Sequence, residues 1–234
     1  MSLGICPDVT LGDSTTTLIT PFQTSQLCMF ITHAARWALY PPNNDVFWPE
    51  LIKTQTITLT GGAFQLADVD QHTRMALWSA DPRLPTSTAI PIAIGTEDVS
   101  GIYPSTTQGA VFAFYMPRTP QYTSIARVDA TTYSLDDLVY SRETGRCYQA
   151  LGAYLGSDYL DPTKWTAQAD VPQLLSKAIQ CKATSYWQDA NNAIDLSAQS
   201  SEEAQYELDT AWKRVRHMAG TALLAGYMSA GTWR

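Results

Sequence analysis

The sequence predicts a mixed α+β protein, and three observations predict it. Residues 20–40 and 170–234 carry apolar side chains at helical spacing. Residues 52–127 carry short apolar runs between Gly/Pro turns. Residues 128–165 pack strand and turn signals around several aromatics. The predicted architecture has a helical part, formed by an N-terminal helix and two C-terminal helices. It adds an antiparallel β-sandwich or barrel and a small three-stranded β-module. The divisions are an extended arm over 1–19, a helical domain over 20–51 and 170–234, a β-domain over 52–127 and the module over 128–169.

Residues 1–19 are rich in Ser, Thr and Gly and read as an arm that lies across a neighbouring subunit or is disordered. Helix one follows, capped by Thr20 or Thr24, with Leu27, Phe30, Ile31, Ala34 and Trp37 or Ala38 on its apolar stripe. Pro41-Pro42 ends it, because proline lacks an N–H and disfavours helix in the residue before it. His33 lies near the stripe and reads as a half-buried histidine. Phe47-Trp48-Pro49 reads as a plug at one end of the core, since no basic residues interleave with the rings as a nucleic-acid surface requires.

The β-region opens with IKTQTITLT, which alternates, with Ile52, Ile57 and Leu59 as its apolar marks and Thr56, Thr58 and Thr60 between them. Gly61-Gly62 is a turn, and AFQLADVD, MALW, TAIPIAIGT and DVSGIYP supply short strands. AVFAFYMPR is continuously apolar and predicts a central strand. Asp68, Asp70, His72 and Asp81 fit no metal-loop spacing and read as solvated loop residues.

In the module, Thr131–Tyr133 and Leu138–Tyr140 predict strands around a turn at Leu135–Asp137. Glu143-Thr144-Gly145 is a hairpin turn, and Arg146–Leu151 the return. Helix two is expected to start at Asp170 as N-cap, with Pro172 in its first turn and an apolar face of Leu174, Leu175, Ala178, Ile179, Cys181, Tyr186 and Trp187. Asn191-Asn192 breaks it. Ser200 and Glu203 form a capping box for helix three, whose apolar positions include Ala204, Leu208, Val215 and Ala222.

Composition narrows the function classes. The chain has 234 residues, 45% hydrophobic and 16% charged. About a quarter charged is usual, so the shortfall fits either large protein–protein contacts or a surface made polar by hydroxyls. A net charge of -7 argues against wrapping of nucleic acid by the whole chain. Cys6, Cys28, Cys147 and Cys181 are widely spaced, without CxxC, so a zinc site is not expected. Cys28 and Cys181 fall in helical patterns and read as buried apolar residues; free thiols suit a reducing cytoplasm. Residues 1–20 lack a basic, apolar leader pattern, and no apolar run is long enough to span a bilayer. Asp136-Asp137 and Glu202-Glu203 are adjacent in sequence, but catalysis needs carboxylates that converge. No nucleophile elbow, zincin or phosphate-loop motif is present. The expectation is therefore no enzyme, no metal and no cofactor.

Two resemblances bear on function. The order Asp129-Ala130, Tyr133, Asp137-x-Val139-Tyr140, Gly145-x-x-Tyr148-x-Ala150, Pro162 and Trp165 resembles the chitin-type carbohydrate-binding modules of families 5 and 12. The resemblance implies a scaffold of Tyr133, Val139, Tyr140, Tyr148, Ala150 and Trp165. Val128 stands where those modules usually open with Trp, and Gly152-Ala153 replaces their sugar-binding aromatic pair. Tyr154 and Tyr159 are the remaining candidate glycan contacts.

Across most of the chain, Phe47–Leu51, Asp81-Pro82-Arg83, Gly145–Leu151 and Asp170-Val171-Pro172 resemble virion structural proteins of tailed bacteriophages. The order helix, β-domain, helices is similar to the head-to-tail adaptors called tail tubular protein A. That resemblance implies a connector or neck subunit joining portal and tail at the virion's head–tail junction, assembled in the host cytoplasm. The implied partners are itself in a dodecameric ring, the portal protein, tail or nozzle proteins, and passing genomic DNA, with no membrane. Lys213, Arg214, Arg216 and Trp233 are the candidate channel or partner contacts. The alternative is a virion-associated or accessory glycan-binding protein.

Overall fold

The computed structural model describes residues 21–40, 48, 51–66, 69, 75–81, 84, 86–94, 101–102 and 109–228, with side chains for all but Pro21, Ile94 and 216–228. Outside them lie the arm, Cys6, Phe47, Pro49, Asp68, Asp70, His72, Pro82, Arg83, the side chains of Arg216, His217 and Ala222, and Trp233. The chain is α+β, with helices and several antiparallel sheets. It divides into two compact units, Met1–Ala38 with Thr119–Ala211 and Leu39–Arg118 with Trp212–Arg234.

Helix α1 runs over Pro21–Leu39. It starts earlier than Thr24 would place it, and Pro21 suits the start because its missing N–H is unpaired in a first turn. Its buried stripe is Cys28, Ile31, Ala34, Ala35 and Ala38. His33 is exposed, which corrects its expected half-burial: it points away from Ala34 and Ala35.

The second unit holds strands β1 (Lys53–Leu59), β2 (Ala63–Phe64), β3 (Met75–Trp78), β4 (Ala89–Ile90), β5 (Ala93–Ile94), β6 (Gly101–Ile102) and β7 (Gly109–Tyr115). They form a four-stranded sheet in the order β1-β7-β3-β4 and a three-stranded sheet in the order β2-β6-β5. The predicted central strand is β7, paired antiparallel with β1 from Lys53↔Tyr115 to Leu59↔Gly109 and with β3 from Met75↔Tyr115 to Trp78↔Phe112. Alternation puts Leu59, Val111, Ala113, Tyr115, Met75 and Leu77 on one face, where Phe64 and Leu66 complete a shared core. Gly61 and Gly62 take φ of 81° and 83°, which makes a tight reversal after β1. Trp48 is buried and meets Trp212 edge to face at 5.9 Å, in keeping with a plug.

The first unit holds α1, strands β8 (Thr132–Tyr133), β9 (Leu138–Ser141), β10 (Arg146–Ala150), β11 (Tyr154–Leu155) and β12 (Trp165–Ala167), helix α2 (Ser176–Ala190) and the first part of helix α3 (Ile194–Met228). Two predicted caps are corrected. Asp170 pairs with Arg146 instead of capping, and a 3-10 turn over Gln173–Leu175 precedes α2. Pro172, held at ψ 131°, keeps the chain extended to that point. Ser200 lies inside α3 and bonds the Gln188 side chain at 2.8 Å. The helix restarts at Ile194 because Asn192, at φ 58°, closes α2 in a short reversal. Lys182 of α2 sits over the rings of Trp37 at 5.3 Å and Tyr186 at 5.1 Å and donates to Ser201, so it ties α1, α2 and α3. Burial pushes its ammonium pKa down.

Candidate functional site

The module is built from its hairpin outward. Gly145 at φ 68° closes the turn between β9 and β10, a backbone conformation that favours glycine. The strands then pair from Arg146↔Ser141 to Gln149↔Leu138, and β12 adds to the other side of β10 from Tyr148↔Ala167 to Ala150↔Trp165. The three-stranded order is β12-β10-β9, with β8 and β11 as a separate pair. Asp136 turns at φ 68°, and its carboxylate accepts from the Gln149 side chain at 2.8 Å.

The core of this module contains Tyr133, Val139, Tyr148, Ala150, Tyr159 and Trp165. Tyr133 meets Trp165 edge to face at 5.4 Å, and Tyr148 meets Tyr159 at 5.0 Å. Tyr140 is also buried but lies on the opposite face of β9, since neighbours on a strand alternate. Its cross-strand partner is Cys147, whose thiol donates to the Thr123 carbonyl. Residues 125–127 run beside β9 through Tyr140 N–H to Ile125 O at 2.7 Å and Arg127 N–H to Tyr140 O at 2.8 Å. That edge therefore continues into the preceding segment.

Arg127 is the hub that the sequence did not reveal. Its side chain is 8% exposed. One Nη pairs with Asp129 and donates to the Gly156 carbonyl at 3.0 Å; the other meets Glu143 at 3.0 Å. Its Cζ sits 3.9 Å from the centre of the Tyr159 ring, and the Tyr159 hydroxyl donates to Glu143 at 2.6 Å. The bond to Glu143 pushes the Tyr159 phenol pKa up. One cation thus joins the opening segment, the hairpin turn and the loop at Gly156. Arg127 lies one residue before the aromatic pattern begins, and no periodicity marks it. A shallow cleft of about 400 Å³ beside it is lined by Ala126, Asp129, Arg142 and Glu143 as well.

The candidate glycan contacts separate. Tyr159 is buried beneath Arg127 and presents no face to solvent. Tyr154 is half-buried, with its ring against Gly152: a Cβ there would lie 2.9 Å from the ring. Of the candidate channel contacts, Lys213 and Arg214 are exposed on α3. Asp161 accepts from the Thr163 hydroxyl at 2.6 Å and its N–H at 2.9 Å, which holds its carboxyl below the usual range.

A second groove of about 360 Å³ lies between α1 and residues 121–125, lined by Met29, Thr32, His33, Tyr122 and Leu138 among others. Thr32 accepts from the Tyr122 N–H at 3.1 Å. Burial, then the nearby Cys147 and Asp170, pushes the Tyr122 phenol pKa up. Among the described residues no group of three His, Cys, Asp or Glu side chains could hold a metal ion, and no helix is long and apolar enough to cross a membrane. Cys28, Cys147 and Cys181 are buried, and no disulfide joins them to one another.

No protein family, curated protein or solved structure matches the chain.

Proposed function

We propose that the chain is a structural subunit of a tailed-bacteriophage virion, a head-to-tail connector protein that works through protein–protein contacts rather than catalysis. The sequence pattern that resembles such proteins supplies the specific role. One structural observation supports the contact-making part of it. The module buries Tyr133, Tyr148, Tyr159 and Trp165, and the large apolar residues it exposes are aliphatic. Val128, Leu135, Leu151, Leu155 and Leu160 are 53%, 62%, 41%, 44% and 67% exposed. A sugar platform needs flat rings facing solvent; exposed aliphatic chains instead favour burial against another protein. In this reading the subunit joins copies of itself in a ring and meets portal and tail proteins, with Lys213 and Arg214 available to a partner or to passing DNA.

Co-assembly tests the role. Leu135→Asp with Leu160→Asp is expected to reduce incorporation into connector particles at least tenfold without lowering the melting temperature of the free chain. Normal incorporation would contradict the reading. Retention of wild-type protein on a glycan array, lost in Tyr154→Ala, would favour the glycan-binding alternative instead.

A further inference from the structure

We propose that the start of α3, residues 194–203, is a strap that unwinds and leaves α2 as one unit while the helix beyond it stays docked. The helix changes character at Ala204. From there its inner stripe is apolar and closed: Ala204, Leu208 and Ala211 are buried, at 0%, 3% and 2% exposure. Before that point no residue of 191–203 is buried. Ile194 and Leu196, the large apolar side chains of this stretch, are 69% and 54% exposed. The strap therefore lacks the buried apolar face that docks an amphipathic helix on its neighbours.

Polar side chains hold it instead. Ser197 donates to the Ser185 carbonyl at 3.1 Å, and the two hydroxyls lie 3.2 Å apart. Ser200 bonds the Gln188 side chain at 2.8 Å, and Lys182 donates to Ser201 at 2.8 Å. Lys177 meets Glu203 at 3.0 Å, but both are half exposed, so water screens the pair. Each such bond replaces one to water and contributes little net stability. Asp195, Ser197, Ser200 and Ser201 also weaken the helix itself, because their side chains compete for the backbone. A helix this short does not stand alone in water. The facing helix is anchored differently. In α2, Ala178, Ile179, Cys181 and Ala183 are buried, and Tyr186 and Trp187 meet the Phe30 ring of α1 at 6.3 and 6.4 Å. So α2 stays on α1 when the strap leaves, and the release stops at Ala204. Such an opening costs less than unfolding the unit. It needs no partner and stands whether or not the virion role does.

Native-state hydrogen exchange of the full-length protein tests it. In a regular helix amides 198–207 bond to carbonyls 194–203. They are expected to exchange together, roughly tenfold or more faster than amides 208–211. Protection that climbs residue by residue along 198–211 is ordinary end fraying; that result, or equal protection throughout, would overturn the proposal. Lys182→Met keeps an apolar stem against Trp37 and Tyr186 and removes the bond to Ser201. It is expected to speed exchange of 198–207 by about threefold or more and to leave 208–211 unchanged. No acceleration at 198–207, or the same acceleration at 208–211, would also overturn it.

Discussion

At the scale of single residues, Arg127 carries the most structure for its size. Its two carboxylate partners are 70% and 66% exposed, so solvent screening weakens each ion pair. The buried part is the stack on Tyr159 and the bond to the Gly156 carbonyl. Together these predict that Arg127→Ala costs about 2 kcal/mol in urea unfolding of the module. A change under about 0.5 kcal/mol would reduce the hub to a surface contact. Asp161 gives a pH-dependent counterpart. Its carboxyl is lowered from the ordinary 3.8, first by the Thr163 hydroxyl. A lowered folded pKa gives stability that is present above the ordinary value and is lost as pH falls through the lower one. Thr163→Ala is expected to raise the Asp161 pKa toward 3.8, as followed by carboxyl-carbon NMR. An unshifted titration would contradict the assignment.

At the scale of elements, two glycines separate two kinds of constraint. A Cβ on Gly156 would lie 2.2 Å from the Val128 carbonyl oxygen and 3.0 Å from the Tyr133 ring, and backbone cannot yield as a side-chain tip can. Gly156→Ala is expected to destabilise by about 3 kcal/mol, from overpacking. Gly145 has no atom near such a Cβ but holds φ 68°, so Gly145→Ala is expected to cost only about 1 kcal/mol. Thermal melts that reverse this order would be inconsistent with the packing described. Ser200 makes a third case. Inside α3 it loses one hydrogen bond on mutation and gains helix propensity, so Ser200→Ala is expected within about 0.5 kcal/mol of wild type. A loss near 1 kcal/mol or more is what a true N-cap would give.

Those elements also show what was legible in the sequence. Alternation marks β1, a continuous apolar run marks β7 and a glycine turn marks the β9–β10 hairpin, because pleat, burial and positive φ leave local marks. The resemblance to chitin-type carbohydrate-binding modules implies Tyr133, Tyr148 and Trp165 as scaffold, and all three are buried in the module core. Helix starts were misread where a side chain found a distant partner: Asp170 took Arg146 and Ser200 took Gln188, and neither partner lies within local reach. Arg127 was invisible for the same reason, since its value comes from Glu143, Gly156 and Tyr159, which are brought to it by the fold. Tyr140 was recognised as scaffold, but only the sheet shows that it serves the face opposite Tyr148.

At the scale of the whole molecule, low charge and exposed aliphatic side chains on the module agree with one another. On the proposed connector role, both would be accounted for by burial against other proteins. The two compact units are each built on their own core. The most direct measurement is the mass and rotational symmetry of the purified protein, alone and with portal and tail components. A connector subunit is expected to form, or to join, a closed ring of more than two copies. A stable monomer that binds neither portal nor tail components would contradict the connector role.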